Sequence, residues 1–266
     1  MLFIDKTIMA ENEIAVELIN VRKMLDRKAV LNGLSISVKK GETLAIIGGS
    51  GEGKTVTLKI IVGLMKPDSG MVKVGGMDIT NGNNGALYSV RRKIGFLFQG
   101  AALLNSINVA ENVALPLREH ERLSEAEISD KVAQALSLVG LSGVERKMPA
   151  ALSGGMRKRV GIARAIVREP EIIFYDEPSS GLDPVTTSVI NDLIVDMKQK
   201  LGITSIVVTH DIASAIRTAD RIAMLHRGRI IRTGVWNDFI DSDDPVVRQF
   251  ISGASKGPLT ETVAEV

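Results

Sequence analysis

Cysteine is missing from the chain's 266 residues. Disulfide, thiolate and Cys-ligated zinc chemistry are therefore excluded, and the absence fits a reducing compartment. Neither sign of charge predominates: 33 Lys plus Arg stand against 31 Asp plus Glu. A net charge of +2 is no electrostatic footprint for nucleic acid. Long apolar runs are missing too. The stretch over residues 60–65 is typical of the longest, well short of the ~20 residues a transmembrane helix needs. The amino terminus carries Asp5, Lys6 and Glu11 and lacks the apolar core of a signal peptide. The expectation is a cytosolic protein with no leader and no membrane span. What remains is an ordinary globular composition, 45% hydrophobic and 24% charged. The length suits one large domain or two small ones with a substantial core.

Periodicity then orders the chain. The first ten or so residues lack a pattern and are expected to fray. Residues 14–21 and 34–38 alternate and read as strands, while 43–47 is a continuous apolar run, the pattern of a strand buried on both faces. Residues 71–74, 94–98, 172–175 and 205–208 are further strand candidates, and 101–151 reads as mostly helical. Residues 81–85 read as a Gly/Asn-rich loop. This β–α alternation implies an α/β protein whose sheet is covered by helices.

Residues 48–55, Gly48-Gly49-Ser50-Gly51-Glu52-Gly53-Lys54-Thr55, match G-x-x-x-x-G-K-[ST] between the strand at 43–47 and a helix from Thr55. Glycines there let successive N–H groups converge on phosphates, and the helix terminus favours an anion. Lys54 is expected to bridge the β- and γ-phosphates and Thr55 to ligate Mg²⁺. A buried strand then runs into Asp176 and Glu177, the first suited to holding Mg²⁺ and the second to polarising an attacking water. Ser153, Gly154 and Gly155 open a helix rich in Arg157, Lys158 and Arg159. They form either a plain N-cap and turn or a second anion site, and a chain that already has one phosphate loop would use the latter on a nucleotide held by another subunit. Gln99 follows a strand and could reach both Mg²⁺ and water. Of three histidines, His210 ends the strand at 205–208, whereas His120, in a polar helix, and His226, near a turn, have no constellation around them.

The order Lys54, Gln99, Ser153, Glu177, His210 resembles the P-loop, Q-loop, Leu-Ser-Gly-Gly signature, acidic strand and H-loop of ABC transporter ATP-binding subunits, over roughly residues 14–240. The resemblance implies a P-loop NTPase core with an amino-terminal antiparallel β subdomain and an inserted helical subdomain at about 100–150. It implies a homodimer closing head to tail on two ATP molecules, each between one P-loop and the partner's Ser153 to Gly155. Glu177 would act as general base, His210 would contact the γ-phosphate, and Asp183 lies in the Ser-Gly-Leu-Asp loop that crosses between sites. Two departures stand out. Lys23-Met24-Leu25-Asp26 has no aromatic residue to stack on adenine, leaving Met24 or Leu25 to pack on the base. Val56 replaces a common second hydroxyl residue.

The segment from Phe98 to Glu119, the stretch LSGGMRKRVGIAR and the tail DDPVVRQFISGASKGPL further resemble the MlaF/Mce-associated phospholipid transport ATPases. That family implies ATP-driven movement of phospholipid between bacterial membranes from the cytoplasmic face of the inner membrane. The implied partners are an MlaE-like permease, an MlaD-like periplasmic protein with an MCE domain and an MlaB-like STAS-type regulatory subunit, with residues 99–118 as docking surface. An importer of another solute and a non-transport ABC ATPase are the alternatives. The tail, 241–266, is expected to form a short helix with Asp244 as N-cap, Pro245 at its first position and Gly253 as its stop. Its Val246, Val247, Phe250 and Ile251 stripe needs a partner, either its own domain or, as the family resemblance favours, the second subunit, making it a dimerisation element.

Overall fold

The computed structural model describes residues 13–82 and 84–260. The amino-terminal stretch expected to fray, Asn83 of the Gly/Asn-rich segment and the last six residues lie outside these. Two sheets organise the chain. The first is antiparallel, in the order β2-β1-β4-β5, from β1 (Ile14–Leu25), β2 (Lys28–Lys39), β4 (Ser69–Val74) and β5 (Met77–Asp78). The second has the order β10-β9-β3-β8-β7-β6, from β3 (Thr43–Ile47), β6 (Ile94–Leu97), β7 (Ile172–Asp176), β8 (Thr204–Val208), β9 (Arg221–His226) and β10 (Arg229–Gly234). All its neighbours are parallel except the β9–β10 hairpin. Every residue of β3, β7 and β8 is buried, which is why these three read as unbroken apolar runs.

β1 extends past the expected end at Val21. Leu25 pairs with Lys28 across a two-residue turn in which Asp26 and Arg27 both have positive φ, 48° and 65°. This backbone matches the right-handed twist of a hairpin and lets the strands continue to its tip.

Helix α1 (Lys54–Ile61) leaves the phosphate loop, and α2 (Asn84–Arg92) begins where a loop was expected, because Leu87 and Val90 are buried. α3 (Val109–His120) and α4 (Glu125–Leu138) form the insert, and residues 139–148 are irregular rather than helical. Asn108 caps α3 by accepting from Glu111 N, and Ser124 and Glu127 close a capping box on α4. Arg118 forks between Glu111 and Glu125, tying the two helices at their surface. The fully buried Asn112 accepts from Leu104 N at 2.7 Å and donates to the carbonyls of Leu104, Ile107 and Asn108. One side chain thereby fixes the loop that follows Gln99. The insert shares a single apolar cluster with Leu97, Ile173, Tyr175 and Val207 of the sheet.

α5 (Gly154–Ile166), α6 (Pro184–Leu201) and α7 (Ile212–Thr218) complete the cover of the parallel sheet. α8 (Trp236–Ile240) and α9 (Pro245–Ser252) end the described chain. Asp244 caps α9 by accepting from Val246 N at 2.8 Å, and Gly253 stops it in the left-handed region at φ 65°. The helix packs on its own domain: Val247 is fully buried beside Ile47, Ile222, Met224 and Phe239, while Val246, Phe250 and Ile251 are half-buried. The chain then folds back over the buried Gln249, whose amide donates to Ala254 O and accepts from Leu259 N. Among the described residues, no helix is long and apolar enough to cross a membrane.

Candidate phosphate and hydrolysis site

The site lies at the carboxyl ends of β3, β7 and β8. Gly48 leaves β3 at φ 152°, and a Cβ there would sit 2.3 Å from Leu225 O. Gly53 has φ 103°, and its Cβ would meet Val30 O at 2.9 Å. Only glycine fits either position, so the two ends of the loop are fixed by backbone packing rather than by side chains. Between them Gly49, Ser50, Gly51 and Glu52 turn the chain into α1, whose N-cap Gly53 makes no side-chain cap and whose first turn holds no acid. Its leading N–H groups are thus available to an anion.

Lys54 curls back over this loop, donating to Gly48 O at 2.8 Å and Gly49 O at 2.9 Å. Burial lowers its pKa, opposed by the charges of Glu177, Glu52 and Asp176. Thr55 Oγ1 donates to Asp176 Oδ1 at 3.1 Å. Asp176 is buried, and that burial raises its pKa despite the Thr55 bond. A carboxylate so placed gains from a nearby cation. Among the described residues no group of three or more His, Asp or Glu could hold a metal unaided. Thr55 and Asp176 offer two oxygens, which fits Mg²⁺ arriving with the phosphates that complete its shell.

Glu177 has φ 48°, an uncommon backbone for a non-glycine residue, held by its N–H donating to Val208 O at 2.9 Å. Its Oε2 is buried without a hydrogen-bond partner, and the exposed His210 brings Nδ1 to 2.9 Å from it, off a hydrogen-bonding line. A buried carboxylate oxygen with no hydrogen-bond donor of its own is placed to take a proton from a water that reaches it. Gln99 is brought to the same end of the sheet, but its side chain is exposed and the structured contact runs through its carbonyl.

That carbonyl accepts from Lys158, which the sequence presents only as one of three consecutive basic residues. The buried Lys158 Nζ donates to Gln99 O and, at 2.9 Å, to Glu177 O. Burial lowers its pKa, and the charges of Asp176 and Glu177 counter this. Helical spacing places Lys158 on the buried face with Gly155, Ile162 and Ala165, the one sequence signal that could have found it. Farther along α5, Arg164 donates to the carbonyls of Ala101 and Ala102, whose φ values are 60° and 47°. We expect Lys158→Met to lower kcat for ATP about tenfold or more with a much smaller change in KM, because it strips the donor from the buried Glu177 carbonyl and the part-buried Gln99 carbonyl without touching the phosphate loop. Steady-state phosphate release alongside a thermal melt tests this.

Ser153 caps α5 by accepting from Met156 N, and is exposed. No hydrogen bond or ion pair joins Ser153, Gly154 or Gly155 to the phosphate loop of the same chain among the described residues. Asp183 caps α6, accepting from Val185 N and Thr186 N at 3.0 Å, and its bond from the Thr186 hydroxyl holds its pKa down. His226, expected to stand alone, instead places Nδ1 3.0 Å from Glu52 Oε1. The reason is the β9–β10 hairpin, which carries His226 up to the loop.

The family profile described as ABC transporter matches residues 31–180, more than half of the chain. The chain belongs to the ABC transporter family. It is 41% identical over 246 residues to the probable ribonucleotide transport ATP-binding protein mkl of Mycobacterium leprae, covering 92% of this chain and 71% of that protein. It is 40% identical to the intermembrane phospholipid transport system ATP-binding protein MlaF of Haemophilus influenzae, covering 93% of this chain and 94% of MlaF. The methionine import ATP-binding protein MetN of Brucella abortus is 43% identical, covering 89% of this chain and 64% of MetN. Among solved structures, the dimeric post-hydrolysis state of the ATP-binding cassette MJ0796 with ADP and Pi superposes with a TM-score of 0.76 at 35% identity, covering 83% of this chain and 98% of that one. This ABC subunit binds and hydrolyses ATP, and its P-loop NTPase fold is that of the cassettes.

Proposed function

We propose that this ABC ATPase powers a transporter moving phospholipids between the bacterial inner and outer membranes. The observation that carries it is coverage. The match to MlaF covers 93% of this chain and 94% of MlaF, whereas the match to MetN leaves over a third of that protein unmatched. In this reading the ATPase sits on the cytoplasmic face of the inner membrane beneath an MlaE-like permease, with an MlaD-like MCE protein beyond it and an MlaB-like STAS subunit as regulator. The groove between β6 and α3, lined by Arg91, Phe96, Phe98, Pro116, His120 and Arg168, is where a permease helix would dock.

Two copies would close head to tail, ATP lying between residues 48–55 of one and Ser153 to Gly155 of its partner. Loop N–H groups and Lys54 would hold the phosphates. Thr55, Asp176 and Gln99 would hold Mg²⁺, which when bound neutralises phosphate charge. Glu177 would take the proton of the attacking water, with His210 at the γ-phosphate and Asp183 shaping the crossing loop. The half-buried Phe250 and Ile251 are the edge of the tail that the second subunit would cover. The test is phosphate release by the membrane complex copurified with this chain, reconstituted in vesicles and supplied with labelled phospholipid or with methionine. ATP-dependent phospholipid transfer is the expected result; methionine-stimulated hydrolysis without lipid transfer would overturn the proposal.

A further inference from the structure

The phosphate loop contains an acid. Glu52 stands between Gly51 and Gly53, two residues before Lys54, in a segment that otherwise collects donors for a polyphosphate. A free carboxylate there would oppose the ligand's charge. The structure shows where this one goes. Oε1 lies 3.0 Å from His226 Nδ1, and Oε2 accepts from Arg227 N. Because an ionised carboxylate only accepts, Nδ1 is the atom that carries the proton. Both side chains are largely shielded, Glu52 at 19% and His226 at 15% exposure, so the pair is not a solvated surface contact.

The turn that supplies both donors is built for it. Arg227 and Gly228 have φ of 47° and 71°, which presents the Arg227 N–H to the loop. Gly228 O accepts from Asn32 N at 2.9 Å, fastening the same turn to β2 beside the Val30 and Leu31 contact with Gly53. At the other end of the loop, Leu225 O lies against Gly48. Three consecutive contacts therefore run from β9–β10 to the start of the loop, its acid, and the strand that abuts its end.

Resting on the reading of residues 48–55 as the phosphate site, we infer that His226 is a positioning residue for ATP binding. It draws the Glu52 carboxylate onto the β9–β10 turn, so that a phosphate loop carrying an acid keeps its donors for the nucleotide. The sequence that places an acid in the loop is matched by a histidine 174 residues away.

The experiment is equilibrium binding of fluorescently labelled ATP to the full-length chain, with melting curves recorded in parallel. His226→Ala should weaken binding about tenfold, since Glu52 loses a charge-assisted partner. His226→Asn, whose amide retains a donor near the Nδ1 position, should recover at least half of the loss on a logarithmic scale. It also serves as the probe if the alanine variant does not fold. Adding Glu52→Gln to His226→Ala should tighten binding at least about fivefold relative to His226→Ala, an effect that simple structural damage would not give. Affinity of His226→Ala within twofold of the parent overturns the inference, as does a double variant no tighter than His226→Ala. Lys54→Ala separates the two levels. If it leaves affinity unchanged, the phosphate-loop reading itself fails; if it weakens binding while His226→Ala does not, only the role of His226 fails.

Discussion

Glu177→Gln is expected to lower ATP turnover by about two to four orders of magnitude while ATP still binds. Glutamine keeps the length and volume of the side chain. The backbone ties of residue 177 to Val208 and Lys158 run through its N–H and carbonyl, so they survive the change. What is lost is the carboxylate, whose buried Oε2 has no hydrogen-bond partner and faces His210 at 2.9 Å. The phosphate loop, with Lys54 and Thr55, is untouched, so binding energy remains while the chemical step stops. The protein should collect as an ATP-bound dimer, visible by size-exclusion chromatography with bound nucleotide counted after denaturation. Near-normal phosphate release in a single-turnover assay would remove Glu177 from the reaction.

Ser153→Arg is expected to abolish activity, and to do so in the neighbouring subunit's site. Ser153 is exposed at the head of α5 and makes no hydrogen bond to its own chain's phosphate loop, so in the proposed head-to-tail dimer a bulky cation there would meet the nucleotide of the second subunit. Loss of the cap costs about 1 kcal/mol, which a folded cassette tolerates. Mixing Ser153→Arg chains with Lys54→Ala chains should then restore hydrolysis absent from either parent. In such a dimer one phosphate loop and one Ser153 are both intact and face each other. A mixture as inactive as its components would mean that Ser153 serves the loop of its own chain, and the head-to-tail arrangement would be wrong.

Legibility followed contiguity. The phosphate loop and the acids of β7 are runs of neighbours on fully buried strands, so motif and strand were read together. The cap, first-turn proline and terminal glycine of α9 are also local, and its bounds match the expectation. The β9–β10 hairpin leaves a weak sequence signal although Ile222 to Leu225 is an apolar run, because β10 is a half-buried edge strand with little alternation. Missing that hairpin meant missing His226. Lys158 was hidden differently: its partners are backbone carbonyls at positions 99 and 177, and carbonyls leave no mark on a sequence.

The double grip of α5 on residues 99–102 has a thermodynamic corollary. Lys158 joins that segment to the carbonyl of Glu177, and Arg164 pins its two strained alanines, so the segment cannot shift without carrying the hydrolytic centre. A permease docked in the groove proposed above, beside this segment, and ATP at the phosphate loop would share a single coupling free energy. Whatever factor the permease adds to the affinity of this subunit for ATP, ATP must therefore add to its affinity for the permease. Titrating the partner at zero and saturating nucleotide thus measures, without any transport assay, how strongly the engine is geared to the load.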